Sequence, residues 1–183
     1  MRSMFFLVLF AAVLLLIVTA QDARAQSETP KVELGAQYTV LRLRDFDTTD
    51  SGVGGRITYN ITDGFGIEGE MNFFPERRIN FATLSSGNSR RTQGLFGVKT
   101  GIRSDGVGIF GKIRPGFIHF GDGTPGPSSG ATEFALDLGG VFEVYPSRPV
   151  ALRFDLGDTI IRFGGLGFTS HNLQFTAGVA LRF

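Results

Sequence analysis

Eight stretches of the chain alternate between apolar residues and polar or small residues with a period of two, and none has the 3.6-residue period of an amphipathic helix. Most are ten to twelve residues long, about twice a typical soluble strand and close to the roughly 9–11 residues that cross a bilayer at a tilt. The pattern predicts an all-β protein with eight long strands. The eight stretches are KVELGAQYTVL, GVGGRITYNIT, FGIEGEMNFF, TQGLFGVKTGIR, VGIFGKIRPGF, TEFALDLGGVFEV, PVALRFDLGDTI and LQFTAGVALRF.

The connections between these stretches alternate in length. TDG, SDG and YPSRP are short turns, whereas the other four connections are longer: RLRDFDTTDS, PERRINFATLSSGNSRR, GDGTPGPSSGA and FGGLGFTSHN. This order predicts an eight-stranded antiparallel up-and-down barrel with one trimmed rim and one rim of long loops.

The two faces of the strands differ in side-chain size and charge. One face is uncharged and rich in Phe, Leu, Ile and Tyr, whereas the other mixes glycine with long charged residues. The interior of an eight-stranded barrel is only just wide enough for side chains, and a lysine or arginine facing mid-bilayer costs about 2–4 kcal/mol. The bulky face is therefore predicted to face lipid, and the other face to place a charge network in the lumen. Its predicted members are Glu33, Arg56, Glu68, Glu70, Lys99, Arg103, Lys112, Arg114, Asp137, Glu143, Arg153, Asp155 and Arg182.

The N-terminal segment predicts export. An apolar run of 14 residues from Phe5 to Val18 is shorter than the roughly 17–25 residues of a spanning helix. Ala23 and Ala25 form an A-x-A site with cleavage before Gln26; the alternative is an uncleaved membrane anchor. The predicted organisation is a signal peptide over 1–25, a short linker over 26–30 and a transmembrane β-barrel over 31–183.

Composition changes this picture little. The chain has no cysteine, so no disulfide framework holds it. A net charge of +1 among 183 residues, with no basic stripe, argues against a nucleic-acid partner. No sequence pattern indicates a cofactor or a metal.

The last residues carry a resemblance. In TAGVALRF, a polar residue is followed two positions on by a glycine, and apolar residues stand three and five positions beyond that glycine. With the eight strands, this ending resembles the small outer-membrane β-barrel proteins of Gram-negative bacteria, the group around the eight-stranded transmembrane domain of OmpA. The resemblance implies an outer-membrane location, a monomer among lipid and lipopolysaccharide, and a terminal assembly signal read by the barrel-assembly machinery. The signal residues would be Thr176, Gly178, Leu181 and Phe183.

A catalytic site for lipid A deacylation is an alternative to a non-catalytic barrel. Some barrels of this class are lipid A deacylases with a His and a Ser two residues apart on the lipid-facing wall. Here Ser170 directly precedes His171, so the two side chains would lie on opposite faces of a strand. Asp158 or Asp122 could supply an acid, and His119 is the second histidine. We expect both histidines to lie in solvent-exposed loops and expect no catalysis.

Two further loop features have competing interpretations. The stretch DFDTTDSG is similar to a calcium loop, but its glycine comes two places late and no glutamate closes it, so an acidic solvated turn explains it equally well. The second long connection carries Arg77, Arg78, Arg90 and Arg91. These guanidinium groups could pair with lipopolysaccharide phosphates; the alternative is ordinary solvated loop charge.

The sequence therefore favours a non-enzymatic outer-membrane barrel with a structural or surface-interaction role and a lumen plugged by side chains. A narrow channel for ions or small solutes is the main alternative. A lipid A-modifying enzyme and a soluble barrel that binds an apolar ligand are weaker ones.

Overall fold

The computed structural model describes residues 30–183 except 47, 81–84, 122–129 and 166, and no side chains are described at 46, 76–80 and 85–89. Eight antiparallel strands follow one another in chain order around a closed barrel, and each alternating stretch of the sequence lies in one strand. The predicted eight-stranded up-and-down barrel is therefore confirmed. The strands are β1 (Val32–Leu43), β2 (Thr48–Thr62), β3 (Phe65–Asn80), β4 (Ser85–Arg103), β5 (Val107–Phe120), β6 (Thr132–Ser147), β7 (Val150–Phe163) and β8 (Phe168–Arg182), and a 3-10 turn (Arg44–Phe46) follows β1.

The last strand closes the ring against the first. β8 pairs with β1 from Leu173 opposite Arg42 to Arg182 opposite Glu33. Backbone hydrogen bonds run in both directions between Val32 and Phe183, at 3.2 and 2.8 Å. An open strand edge in hydrocarbon would leave backbone groups without partners, so the terminal residue takes part in the closure on which the fold depends.

The two rims of the barrel differ. At one rim, which we call the turn rim, two or three residues join β2 to β3, β4 to β5 and β6 to β7. The opposite rim, the loop rim, carries the other four connections. The predicted short turns lie at the turn rim, as expected for an up-and-down barrel.

The prediction of long loops is wrong at three of the four loop-rim connections. β3 and β4 remain paired beyond Pro75 and Arg90, as far as Asn80 opposite Ser85, so most of the predicted second loop is a protruding two-stranded hairpin. The β1–β2 and β7–β8 strands are likewise separated by four residues each. Polar residues continue the ladder because backbone pairing does not need apolar side chains. The 121–131 connection keeps its predicted length, and residues 122–129 lie outside the described part of the chain.

The outward side chains form an apolar band of bilayer thickness. On β4, the outward positions from Thr92 to Ile102 span ten residue steps, which at about 3.4 Å per residue and a tilt of about 40° is about 26 Å. The apolar band of an outer-membrane barrel is about 25 Å tall. Bulky residues such as Ile57 and Phe96 are 54 % and 64 % exposed on this face. Over the described strands, acidic, basic and histidine side chains on the outward face begin only towards the loop rim, at Arg42, Arg90, His119, Asp158, Arg162 and His171.

No helix within the described residues is both long and apolar enough to cross a membrane. The expected signal peptide, with Ala23, Ala25 and Gln26, lies outside the described residues. Signal cleavage and the 26–30 linker therefore stay predictions.

The closed ladder predicts resistance to detergent. We expect the mature protein to fractionate with outer membranes and to stay folded in mild SDS until heated, because every strand has two hydrogen-bonded neighbours. Gel mobility of unheated and boiled samples measures this. Recovery from the soluble fraction, with the same mobility before and after boiling, would contradict a barrel that resides in lipid.

The closing contact of Phe183 predicts a second result. Phe183→Asp should sharply lower the yield of folded protein in the membrane while export continues, because it places a charge next to the β1–β8 closure. Phe183→Tyr is the matched control that keeps an aromatic terminus. Folded Phe183→Asp protein at the wild-type level, measured by the heat-dependent mobility shift, would show that the terminal residue is no assembly signal.

Candidate functional site

Side chains fill the lumen in three successive layers from the turn rim to the loop rim. The first is the charged network, defined as the thirteen residues predicted above. All thirteen side chains point inward, and twelve of the residues are at most 9 % exposed. Arg103 lies near the turn rim, with a side chain that is 6 % exposed. Alternation along each strand explains the layer, since inward positions recur every second residue.

Arg153 on β7 joins side chains from three other positions in this network. Its guanidinium donates to both carboxylate oxygens of Glu68 on β3, across the lumen, and Nη2 lies 2.9 Å from Oε2. Nε lies 2.6 Å from Asp155 Oδ1, and Nη1 lies 3.3 Å from Glu143 Oε1. Arg153 is 1 % exposed, so its charge is compensated by these carboxylates instead of by water.

Arg114 on β5 is the second centre of the network. Nη1 lies 2.5 Å from Glu70 Oε2 on β3, and Nη2 lies 2.6 Å from Asp137 Oδ2 on β6. The Nζ of Lys112 lies 2.9 Å from the same Asp137 oxygen and 3.4 Å from Asp155. Arg114 also lies 3.6 Å from Glu68 and 3.6 Å from Asp155, which are carboxylates that contact Arg153, so the two arginines belong to one continuous group of charges.

The network continues to the turn rim. Lys99 Nζ lies 2.7 Å from Glu143 Oε1, and Arg103 Nη2 lies 3.1 Å from Glu33 Oε1. The Tyr145 hydroxyl donates to Glu143 at 2.6 Å and accepts from Arg103 Nε at 2.9 Å. Sequence reasoning missed Tyr145, although its two-residue spacing from Glu143 in the alternating β6 pattern could have indicated it.

Two basic members make weaker contacts. Arg182 Nε lies 3.6 Å from Glu33 Oε1, and its guanidinium carbon lies 4.1 Å from the centre of the Tyr145 ring. Arg56 lies opposite Glu70 in the β2–β3 pairing but donates to the Gln37 side-chain oxygen at 3.2 Å. Arg56 therefore links the charged network to the next layer.

The second layer consists of uncharged hydrogen-bonding side chains. Alternation places Gln37 and Asn72 on the inward face of their strands, but the layer as a whole was not predicted. Gln37 donates to Asn72 at 2.8 Å, Asn72 to Gln93 at 2.9 Å, and Gln93 to Gln174 at 3.0 Å. This chain of amides runs from β1 through β3 to β4 and then crosses the lumen from β4 to β8. Thr159 donates to Gln174 at 2.8 Å. Buried amides of this kind are stable when their donors and acceptors are paired within the network.

The third layer is apolar and lies nearest the loop rim. Its residues are Leu41, Leu43, Phe74, Leu95, Ile118, Phe120, Ala135, Ile161 and Phe163. They form one buried cluster inside the barrel. We predicted a polar lumen and did not anticipate this layer, which we call the apolar layer. These residues lie next to outward-facing apolar residues in the sequence, so composition alone does not identify their side of the wall.

An ion pair lies among the residues of the apolar layer. Arg91 on β4 pairs with Asp50 on β2, and the two side chains are 3 % and 0 % exposed. The Arg91 guanidinium carbon lies 5.4 Å from the centre of the Phe120 ring. This placement corrects two expectations: Arg91 points into the lumen instead of towards lipid headgroups, and Asp50 belongs to a buried strand position instead of an acidic solvated turn.

The other loop-rim arginines have different positions. Arg90 is exposed on the outward face of β4, opposite Pro75 in the ladder. Arg77 and Arg78 lie in the protruding part of β3, and their side chains are outside the described set.

The histidines do not form a catalytic dyad with serine. His171 is exposed on the outer wall with Nδ1 2.6 Å from Asp158 Oδ2, whereas Ser170 is 2 % exposed inside the barrel, where it bonds Asn172 at 3.1 Å. The two side chains therefore lie on opposite sides of the wall. His119 is exposed and bonds Thr132 at 2.9 Å. Both histidines lie in strands, so the expectation of loop positions is wrong.

The acidic residues of the candidate calcium loop do not lie on one side of the barrel wall. Asp45 is exposed in the 3-10 turn, whereas Asp50 is buried in the lumen. Within the described residues, no group of three or more His, Asp or Glu side chains is arranged to hold a metal ion.

Solved structures with the same architecture come from three bacterial groups. Ail of Yersinia pestis in complex with the heparin analogue sucrose octasulfate has a TM-score of 0.53 at 15 % identity, covering 83 % of this chain and 96 % of that chain. The N-terminal β-barrel domain of Pseudomonas aeruginosa OprF has a TM-score of 0.54 at 14 % identity, with 85 % and 100 % covered. Neisserial surface protein A has a TM-score of 0.52 at 13 % identity, with 83 % and 96 % covered. At these identities the similarity shows the fold.

A search of curated proteins finds no significant match to this chain. Residues 9–183 match the family described as outer membrane protein beta-barrel domain. That family and the structures above indicate no enzyme. The chain therefore belongs to the outer membrane protein beta-barrel domain family and is located in the outer membrane of a Gram-negative bacterium.

Proposed function

We propose that this protein is a non-enzymatic, monomeric barrel with a structural or surface-interaction role in the outer membrane, and that its lumen is a plug instead of a conduit. The observation that carries this proposal is the filled interior. Side chains from opposite walls meet in the charged network and in the amide layer, and the apolar layer follows them towards the loop rim. Monomer formation is favoured because the closed ladder leaves no strand edge for a second copy.

The balance of charges argues against an ion pathway. The charged network holds six acidic and seven basic side chains, and the Asp50–Arg91 pair adds one of each. A conducting pore is lined by an excess of one sign or by water-accessible polar groups. Here opposite charges lie within hydrogen-bonding distance of one another, for example Arg114 and Glu70 at 2.5 Å. A permeating ion would have to displace these partners and then cross the apolar layer.

The proposal extends to two partners. During biogenesis, the barrel-assembly machinery would recognise the β8 residues Thr176, Gly178, Leu181 and Phe183. In the mature membrane, Arg77, Arg78 and Arg90 would pair with lipopolysaccharide phosphates at the loop rim, because arginine binds phosphate through two parallel hydrogen bonds. Arg91 is left out of this contact because its partner is Asp50.

The plugged lumen predicts negligible steady conductance for the wild-type protein in planar bilayers. Arg153→Ala and Glu70→Ala should each lower thermal stability and produce brief conducting events, because they leave buried partners uncompensated. Breaking a buried ion pair costs about 3–5 kcal/mol, and less where water enters. Arg162→Ala is the matched control, since Arg162 is an exposed β7 arginine on the outer wall. Large, stable, ion-selective currents from wild-type monomer would instead favour the channel alternative.

The headgroup contact predicts a salt-sensitive loss of lipid. Changing Arg77, Arg78 and Arg90 together to Gln should reduce the lipopolysaccharide that copurifies with the protein, and added salt should reduce it for the wild type. Chemical quantification of lipid A phosphate per protein measures the loss. Arg91→Gln is the control: it should lower stability because it breaks the buried Asp50 pair and leave the lipid content unchanged. Equal lipid content in the triple variant and the wild type would identify these arginines as solvated charge.

A further inference from the structure

An apolar groove crosses the outer wall of the barrel from β2 to β5. It has a volume of about 600 Å³, within the roughly 300–1,000 Å³ of small-molecule sites. A concavity of this size on a lipid-facing surface requires an explanation. The outward residues that shape it include Gly55, Ile57, Gly69, Met71, Phe96 and Phe117.

The floor of the groove consists of two glycines that the backbone does not require. A Cβ added at Gly69 would have its nearest contact with Ile57 Cγ2 at 3.5 Å, and one at Gly55 would lie 3.7 Å from the nearest backbone oxygen. Both are ordinary van der Waals distances. By contrast, a Cβ at the inward Gly97 would lie 2.1 Å from the Ile113 oxygen. The space above Gly55 and Gly69 is therefore left open although larger side chains would fit there.

The walls of the groove are large side chains that alternate with the glycines across the strands. Gly55 lies opposite Met71, and Gly69 lies opposite both Ile57 and Phe96. These three side chains are 42–64 % exposed, and they stand beside the glycines. A groove with apolar walls and an apolar floor complements an extended hydrocarbon chain.

The groove lies in the half of the apolar band that is nearer the loop rim. On β4 the band extends from Thr92 to Ile102, and Phe96 lies above its midpoint. Because the loop rim of such barrels is extracellular, the groove faces the outer leaflet. Arg90 is exposed on the same outward face of β4, four residues beyond the groove residue Gly94 towards the loop rim, or about 14 Å along the strand.

We propose that this groove holds an acyl chain of lipopolysaccharide, with a phosphate of the same molecule paired to Arg90; the phosphate part rests on the headgroup contact proposed above. Hydrocarbon is the solvent of this wall, so an acyl chain is the occupant that the surroundings supply. Arg90 places a phosphate-binding group on the loop-rim side of the groove, at a distance that an acyl chain can span. The outer-leaflet position favours lipopolysaccharide over a glycerophospholipid of the inner leaflet.

Binding of defined lipids to the full mature protein in detergent, followed by native mass spectrometry, tests this proposal. The probes are lipid A, dephosphorylated lipid A and phosphatidylglycerol. Gly55→Leu/Gly69→Leu fills the groove and should weaken lipid A binding about tenfold, because the acyl chain loses its van der Waals packing against the groove. Gly69→Ala, which adds one methyl at an ordinary contact distance, should give a smaller loss.

The chain offers a matched control. Gly111 and Gly140 are outward glycines outside the groove, and an added Cβ there would lie 3.9 and 4.0 Å from the nearest atom. Gly111→Leu/Gly140→Leu should therefore fold, as judged by the heat-dependent mobility shift, and bind lipid A as the wild type does. Arg90→Gln should weaken binding of lipid A and leave binding of the dephosphorylated lipid unchanged.

Each contrary outcome has a separate meaning. Wild-type lipid A binding by folded Gly55→Leu/Gly69→Leu would overturn the groove, even if Arg90→Gln shows that the phosphate contact exists. If Gly55→Leu/Gly69→Leu weakens lipid A binding and Arg90→Gln does not, the phosphate contact alone is overturned. If phosphatidylglycerol binds the wild type as tightly as lipid A does, and Gly55→Leu/Gly69→Leu weakens that binding too, the assignment to lipopolysaccharide is overturned. A wild-type dimer that disappears in the filled variant would show that a second copy occupies the groove.

Discussion

Closure of the hydrogen-bonded ring is the constraint on which the rest of this structure depends. In hydrocarbon, an unpaired backbone group has no water to bond, so the eight strands must meet, and β8 meets β1 as far as Phe183. Eight strands fix a narrow cylinder. The width of that cylinder then decides which side chains lie inside, and the surrounding lipid decides which lie outside. The sequence pattern of small and charged residues against bulky apolar ones follows from these two limits.

The narrow interior accounts for the inward glycines and for the charges beside them. A Cβ at Gly54 or Gly139 would lie 2.4 or 2.2 Å from a backbone oxygen of the neighbouring strand, so no larger residue fits without movement. The space that remains is filled by long side chains that reach across the lumen. Glu68 on β3 meets Arg153 on β7, and Lys99 on β4 meets Glu143 on β6. Backbone ladders connect neighbouring strands only. These contacts connect strands that are not neighbours, and the Glu68–Arg153 contact joins opposite walls, so they resist flattening of the cylinder.

The period-two pattern was sufficient to predict the strands, their order and the thirteen inward charges, because alternation is strict wherever one face meets lipid. The pattern did not predict the strands where they extend beyond the hydrocarbon region of the membrane. Past Arg90 and Pro75 the sequence no longer alternates between apolar and polar residues, so the hairpin that continues to Asn80 had the composition of a loop. The apolar layer was missed for a related reason: Phe73 and Phe74 are adjacent and equally hydrophobic, yet Phe73 is 50 % exposed and Phe74 is 1 % exposed. Only the register of the whole strand separates them.

For the charged residues Asp50 and Arg91 too, the local sequence does not distinguish an inward position from an outward one. Each stands in a polar run, where solvent exposure is the ordinary expectation, yet both are inward positions of strands that extend past the membrane band. Their neighbours in the ladder, Leu41 opposite Asp50 and Phe74 opposite Arg91, belong to the apolar layer. A buried charge in such surroundings is stable only with its partner. Asp50 on β2 and Arg91 on β4 therefore each depend on the presence of the other. The loop rim is thereby closed from within by the apolar layer and this ion pair, so that, in the part of the chain that the structure describes, the outer wall and the protruding hairpin remain accessible to other molecules.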